Sequence, residues 1–134
     1  MALSFLGRAF LGLLLLGWIA SSAHAQVEML RKTTPEQRAG AQTQFIEAKL
    51  GLDAKTTASV AALNLETAQK AEPVIQDASS RFSLAMGLRK LNAERDEKLK
   101  TLISPEQWKL FMSSQDEMKK AVMADLEKAV RTAP

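Results

Sequence analysis

The stretch LISPEQW, residues 102–108, contains a complete set of helix-start signals. Ser104 is a favourable N-cap, because its hydroxyl can accept a hydrogen bond from a free backbone N–H of the first turn. Pro105 suits the first helical position, where its missing N–H would have no partner in any case. Gln107 stands where a side chain can reach back to the cap and complete a capping box. We therefore predict a helix over about 105–130.

A shorter version of the same phrase, TTPEQ at residues 33–37, predicts an earlier helix. Thr34 is its N-cap, and Gln37 is the residue that reaches back to the cap. Gly51 favours the left-handed conformation in which many helices end. These signals predict a helix over about 35–50.

Two further helices are predicted between these phrases. Asp53 is the expected N-cap of a helix over about 54–76, and Pro73 is expected to disrupt its end. The polar stretch DASS, residues 77–80, separates it from a helix over about 82–102, in which apolar residues recur at spacings of three and four. The predicted fold class is all-α, with four helices in a long-helix hairpin arrangement.

The first 25 residues have the order of a secretory signal peptide. Arg8 precedes an apolar run over about 9–20, and the small residues of SSAHA follow it. The run is shorter than the ~20 residues that a membrane span needs. We predict cleavage after Ala25, which leaves one helical domain over residues 26–134 with no stable membrane insertion. An uncleaved N-terminal anchor is the alternative.

Composition restricts the chemistry of the exported chain. The sequence has no Cys and no Tyr, and its single His lies in the predicted signal peptide. A thiolate nucleophile, an imidazole base and the usual zinc ligands are therefore absent after cleavage. The whole chain has a net charge of +3, too balanced to indicate nucleic-acid binding. We predict no enzyme activity, no cofactor and no metal site, with a carboxylate-only enzyme or a metal buffer as the remote alternative.

The segment around Ser104 also resembles part of a known family motif. Ile103, Ser104 and Gln107 stand at the Leu, Thr and Gln positions of the L-T-x-x-Q motif, which occurs twice in the Spy/CpxP family of small bacterial periplasmic proteins. The signal peptide and the sequence LNAERDEKLKTL, residues 91–102, add to the resemblance.

A first copy of the motif lies in LGLDAKT, residues 50–56, in degraded form. Leu52 matches the family's Leu, and Asp53 replaces Thr as a helix cap. Thr56 stands where the family has Gln. The whole resemblance covers roughly residues 34–130.

The resemblance implies a helical hairpin that pairs into a curved, antiparallel homodimer in the periplasm. Members of the family act as ATP-independent chaperones that hold unfolded envelope proteins, whereas others restrain a sensor kinase. We therefore expect a periplasmic holdase. The alternative is a signalling accessory that binds and restrains a sensor kinase or another envelope partner.

Several apolar residues lie away from the predicted core-facing stripes. A lone helix hairpin cannot bury both faces of its helices, so these residues are candidates for a dimer interface or a client-binding surface. The alternative is that they are buried between helices of one monomer. The candidates are Ile46, Leu50, Leu65, Phe82 and Met86.

Overall fold

A computed structural model describes residues 24–134, and all of their regular secondary structure is α-helical. The predicted all-α class is therefore confirmed for this part of the chain. The predicted signal peptide lies outside the described residues except for His24 and Ala25. The helices are α1 (24–32), α2 (Pro35–Leu50), α3 (Ala54–Asp77), α4 (Arg81–Leu102), α5 (Pro105–Ser113) and α6 (Gln115–Thr132).

The helices pack side by side in an order that separates α4 from α6. The longest helix, α3, packs against both α2 and α4, and α2 packs in turn against α6 and more lightly against α5. Helices α4 and α6 make little direct contact with each other. A groove between α4 and α6 is the consequence.

The main hydrophobic core is assembled from five helices, α2 to α6. Its centre contains the completely buried side chains of Ile46, Val60 and Leu99. Full burial of a side chain of this size contributes about 1.5–3 kcal/mol to stability. Phe111 of α5 and Leu126 of α6 close the same cluster, so the C-terminal helices are held to the rest by apolar contact.

Two of the candidate surface residues belong to this core instead, in line with the alternative of burial within one monomer. Ile46 has no solvent exposure and Leu50 is also buried, so neither is available to a client or a second subunit. The neighbouring Phe45 is only half-buried at the edge of the core. Adjacent residues on a helix differ in direction by about 100°, so the packing of α2 against both α3 and α6 decides which of them faces inward.

Helix α1 was not predicted, and it closes one end of the molecule. Its Val27 and Leu30 pack against a second apolar cluster formed by Ala71, Ile75 and Leu84. The cluster joins α1, α3 and α4. Residues 24–32, which precede the TTPEQ stretch, therefore pack on an apolar surface.

Both capping boxes are present in the structure. The Thr34 hydroxyl accepts from the Gln37 backbone N–H at 3.1 Å, and the Gln37 amide oxygen accepts from the Thr34 N–H at 2.9 Å. Ser104 and Gln107 make the same two bonds, at 3.1 and 2.9 Å. The repeated phrase therefore has the same local geometry at both positions.

The stretch LGLDAKT, residues 50–56, also leads into a helix. The Asp53 carboxylate accepts from the Thr56 backbone N–H at 2.7 Å, and this hydrogen bond lowers the pKa of Asp53. Gly51, just before it, has a φ of 63°, the left-handed conformation expected at a helix end. Thr56 thus contributes only its backbone donor to this cap.

The final helix differs from its prediction, because the chain breaks at Ser114 into α5 and α6. The Ser114 hydroxyl donates to the Leu110 carbonyl at 2.7 Å, and the Gln115 amide donates to the Phe111 carbonyl at 2.8 Å. The Ser114 backbone N–H turns to the Phe111 carbonyl, one residue short of the α-helical partner. Side chains that bond nearby backbone carbonyls in this way bend or interrupt helices.

Pro73 does not end its helix, since α3 continues past it to Asp77. Proline removes the hydrogen bond that the carbonyl four residues earlier, that of Gln69, would accept. Both Pro73 and Gln69 are exposed, so water can satisfy that carbonyl. The helix therefore tolerates the proline on its solvent side.

Candidate functional site: the groove between α4 and α6

A groove between α4 and α6 has a volume of about 640 Å³. This volume lies within the range of ordinary ligand-binding clefts. Helices α4 and α6 form its walls, α2 contributes to its floor, and α1 lies at one end. We call it the α4–α6 groove; the apolar lining from its two walls includes Leu84, Leu88, Met118, Val122, Met123 and Leu126, and Val27 and Leu30 of α1 add to it.

The apolar lining combines fixed and accessible side chains. Met118 and Val122 are buried, because their other sides belong to the main core. Leu88 and Met123 are half-buried and face the groove. Methionine adapts its shape easily and suits surfaces that accept different partners. The lining therefore combines adaptable, accessible apolar side chains with buried core residues beneath them.

A buried arginine, Arg95 of α4, lies at the bottom of the groove. Its side chain is only 3% exposed. Its Nε donates to the Asp96 carboxylate at 2.9 Å, and its Nη1 donates to the Gln42 amide oxygen at 3.2 Å. A buried charge is tolerated only when it is paired and hydrogen-bonded, and these contacts meet that requirement.

A second layer of contacts fixes the guanidinium plane. Nη1 of Arg95 also lies 3.5 Å from the Asn64 amide oxygen, and Asn64 in turn donates to the Thr43 hydroxyl at 3.0 Å. The guanidinium carbon lies 5.7 Å from the centre of the Phe111 ring, within the range of a cation–π contact. Arg95 is thus held in one orientation by residues of α2, α3 and α5.

Charged residues surround the opening. Lys119 of α6 and Arg81 of α4 are exposed on its rim. Asp116 is the exposed carboxylate on the α6 side. Solvated charged groups therefore surround the apolar lining, an arrangement typical of binding surfaces on soluble proteins.

The end of the groove near α1 is fixed by a second buried arginine, Arg38. It donates to the backbone carbonyls of Leu30 and Thr33 and forms an ion pair with Glu72 of α3. Burial raises the pKa of Glu72, but hydrogen bonds from Arg38 and Gln76 outweigh it, so the pKa lies below its ordinary value. Arg38 therefore ties the end of α1 to α2 and α3.

The remaining predicted surface residues lie outside the groove. Phe82 and Met86 are 76% and 48% exposed. They are one helical turn apart on α4, and neither lines the groove. Leu65 is half-buried on α3 and is also outside it.

The apolar residues of the groove were predicted to lie on core-facing stripes, and no groove between these helices was predicted. One signal was available: Arg95 interrupts an otherwise apolar series of leucines on α4, at Leu84, Leu88, Leu91 and Leu99. A charge inside such a series indicates either a buried polar network or a face that meets solvent. The structure has both at this position.

Residues 24–134 contain no group of three or more His, Cys, Asp or Glu side chains arranged to hold a metal ion. None of their helices has the length and apolar composition that crossing a membrane requires.

No family model matches the chain, and neither a curated protein nor a solved structure is significantly similar to it.

Proposed function

We propose that the protein is a periplasmic, ATP-independent holdase of the Spy/CpxP type, and that its α4–α6 groove holds exposed apolar segments of unfolded or stress-damaged envelope proteins. The observation that carries the proposal is an apolar groove, open to solvent and bordered by charge, in a small helical protein. An unfolded client gains stability by burying its own apolar side chains there.

The composition of the groove supports weak and adaptable binding. Leu88 and Met123 offer accessible apolar surface, and Met118 adds a second thioether beneath them. Flexible surfaces rich in methionine can repack around different partners, which is what a protein with many clients needs. Such a holdase requires neither a catalytic residue nor a cofactor.

The proposed route to the periplasm is compatible with the position of α1. Cleavage after Ala25 makes Gln26 the first residue of the exported protein. Gln26 lies at the end of the groove, and Val27 and Leu30 keep the segment packed on the second apolar cluster. The exported chain would therefore retain every apolar contact of α1 described above.

We also propose that the protein forms an antiparallel homodimer through the outer face of α4. Phe82 and Met86 form an exposed apolar pair on this face, one helical turn apart and outside the groove. Large exposed apolar side chains of this kind are typical anchors of protein–protein contacts. Because neither residue lines the groove, a contact through this pair does not use the groove itself.

The holdase proposal is tested by suppression of aggregation of a chemically denatured client, followed by light scattering without ATP. The purified exported form, residues 26–134, should suppress scattering, and Met123→Gln should weaken this effect by adding a polar group to the groove. Met112→Gln is the matched control, because Met112 is 49% exposed on α5 and does not line the groove.

Two results would contradict the proposal. One is the absence of suppression by the unmodified protein at several-fold molar excess. The other is equal suppression by both variants and the unmodified protein. A pull-down from envelope extract that recovers one dominant stoichiometric partner, together with absent suppression, would favour the signalling accessory instead.

A further inference from the structure

We propose that the α4–α6 groove selects segments in which a carboxylate accompanies apolar side chains, and that Arg95 receives this carboxylate. The inference rests on the proposed holdase function and specifies its substrate class. The partner is a flexible acidic–apolar polypeptide segment.

The orientation of Arg95 leaves one side of its guanidinium group available. Nε is occupied by Asp96, and Nη1 by Gln42 and Asn64. Nη2 donates no hydrogen bond to any residue in the described part of the chain. An arginine that is already held in place loses little side-chain entropy when a carboxylate binds to it.

The free Nη2 is in contact with solvent, although Arg95 as a whole is buried. Among the described residues, the one fully enclosed side-chain nitrogen or oxygen without a hydrogen-bond partner is the Thr57 hydroxyl. Nη2 is therefore not fully enclosed. Because Arg95 lines the α4–α6 groove, the groove is the opening to which we assign this donor.

The charge around the groove favours an anionic segment. Arg81 and Lys119 are exposed on the rim, and Arg95 lies at the bottom. The acidic lining residues are Asp96, whose carboxylate already bonds Arg95, and Asp116 on the rim. A positive excess remains even though Arg38, the other lining cation, is paired with a carboxylate of α3.

Geometry and charge together define what the groove recognises. Apolar side chains of the segment would lie against Leu88 and Met123, while one carboxylate reaches Nη2 of Arg95. Hydrogen bonds between guanidinium and carboxylate are about twice as strong as neutral ones. Lys119 is placed to interact with a further acidic group at the rim. Neutral segments would retain only the apolar contacts.

The test uses two fluorescently labelled peptides, one of leucine, alanine and aspartate and the other with asparagine in place of every aspartate. Fluorescence anisotropy with the exported protein should give a Kd for the aspartate peptide roughly tenfold lower, which corresponds to about 1.4 kcal/mol. Equal affinities would overturn the inference and leave the holdase proposal standing. Binding of neither peptide would overturn both.

Single substitutions test whether Arg95 causes the preference for the aspartate peptide. Arg95→Lys keeps the charge but loses the planar fork, so it should reduce the preference for the aspartate peptide to within about twofold. Lys119→Gln should reduce it partially, whereas Lys109→Gln, an exposed lysine of α5 outside the groove, should leave it unchanged. A preference that persists undiminished in Arg95→Lys would overturn the role of Arg95.

A measurement on the unmodified protein covers the case in which Arg95→Lys does not fold. The side-chain Nε–H signal of Arg95 should shift in nuclear magnetic resonance spectra when the aspartate peptide is added, and remain in place with the asparagine peptide. No shift with the aspartate peptide at saturation would overturn the inference.

Discussion

A Cβ atom on Gly87 would lie 2.6 Å from Cγ1 of Val74, which means that α4 crosses α3 where the backbone of α4 touches a valine side chain. Real Cβ atoms essentially never come so close to a carbon, so only glycine fits without a shift. Valine is β-branched and has little rotamer freedom in a helix, so it cannot easily move aside. This close crossing fixes one wall of the α4–α6 groove.

We predict that Gly87→Ala destabilises the protein by about 1 kcal/mol, although alanine is the better helix former. The clash with Val74 should outweigh the gain in helix propensity. Gly40→Ala is the matched control, because Gly40 lies within α2 and has nothing within 4 Å of its Cβ position. This control should stabilise by up to about 1 kcal/mol. Urea unfolding measures both, and stabilisation of similar size in both variants would show that the crossing is not tight.

The repeated capping phrase leads to a second prediction, because its two copies differ in one contact. Besides closing its capping box, Gln107 donates from Nε2 to the Leu50 carbonyl at 3.2 Å, which ties the start of α5 to the end of α2. Gln37 makes only its own box within the described residues. Gln107→Glu keeps an acceptor for the cap, but it loses this donor and places a negative charge beside a carbonyl oxygen.

Gln107→Glu should therefore lower the free energy of unfolding by about 1–2 kcal/mol, and Gln37→Glu by less than about 0.5 kcal/mol. Both free energies can be measured by urea unfolding at neutral pH. Equal effects of the two substitutions would mean that the second copy of the phrase has a capping role alone.

Acid should weaken the junction of α1, α2 and α3. The pKa of Glu72 is lower in the folded protein than its ordinary value, because the hydrogen bonds from Arg38 and Gln76 outweigh burial. Between the folded and unfolded pKa values the unfolded chain binds more protons, so stability falls as the pH falls. The contribution of Glu72 is fully present above the ordinary glutamate pKa and is lost as the pH falls through the lowered value.

Urea unfolding at a series of pH values down to about pH 3 tests this. The unmodified protein should lose stability toward acid, and Glu72→Gln should be less stable at neutral pH and lose less on acidification. An acid-induced loss of the same size in both proteins would remove Glu72 from the explanation.

The proposed dimer gives a prediction about solution mass. Phe82→Ser combined with Met86→Ser should convert the exported protein from dimer to monomer in sedimentation experiments, with its helical content unchanged. Both side chains are exposed, so their removal leaves no cavity in the monomer. A monomeric unmodified protein, or a double variant that stays dimeric, would contradict the proposed contact.

Local chemistry explains what could be predicted from sequence. The starts of α2 and α5 depend on residues within one turn, namely Thr34 with Gln37 and Ser104 with Gln107, and both capping boxes occur as the sequence indicates. Gly51 likewise acts within its own helix end. Because these signals act within one helical turn, they can be interpreted without knowing how the helices pack.

What was missed depends on contacts between distant parts of the chain. Ile46 is fully buried and its neighbour Phe45 only half-buried, because α2 packs against both α3 and α6. Leu88 and Met123 have the spacing of core residues, and they face a groove only because α4 and α6 stay apart. The break at Ser114 arises from side chains competing for backbone carbonyls, a weak signal inside a long amphipathic pattern.

The most direct test of client binding in the α4–α6 groove is site-specific photocrosslinking. A photoreactive amino acid placed at Ala85, which lines the groove, is compared with one at Ala58, an exposed alanine of α3 outside it. With a denatured client and no ATP, we predict strong crosslinking from position 85 and little from position 58. Equal crosslinking from both positions, or none from position 85, would contradict the account.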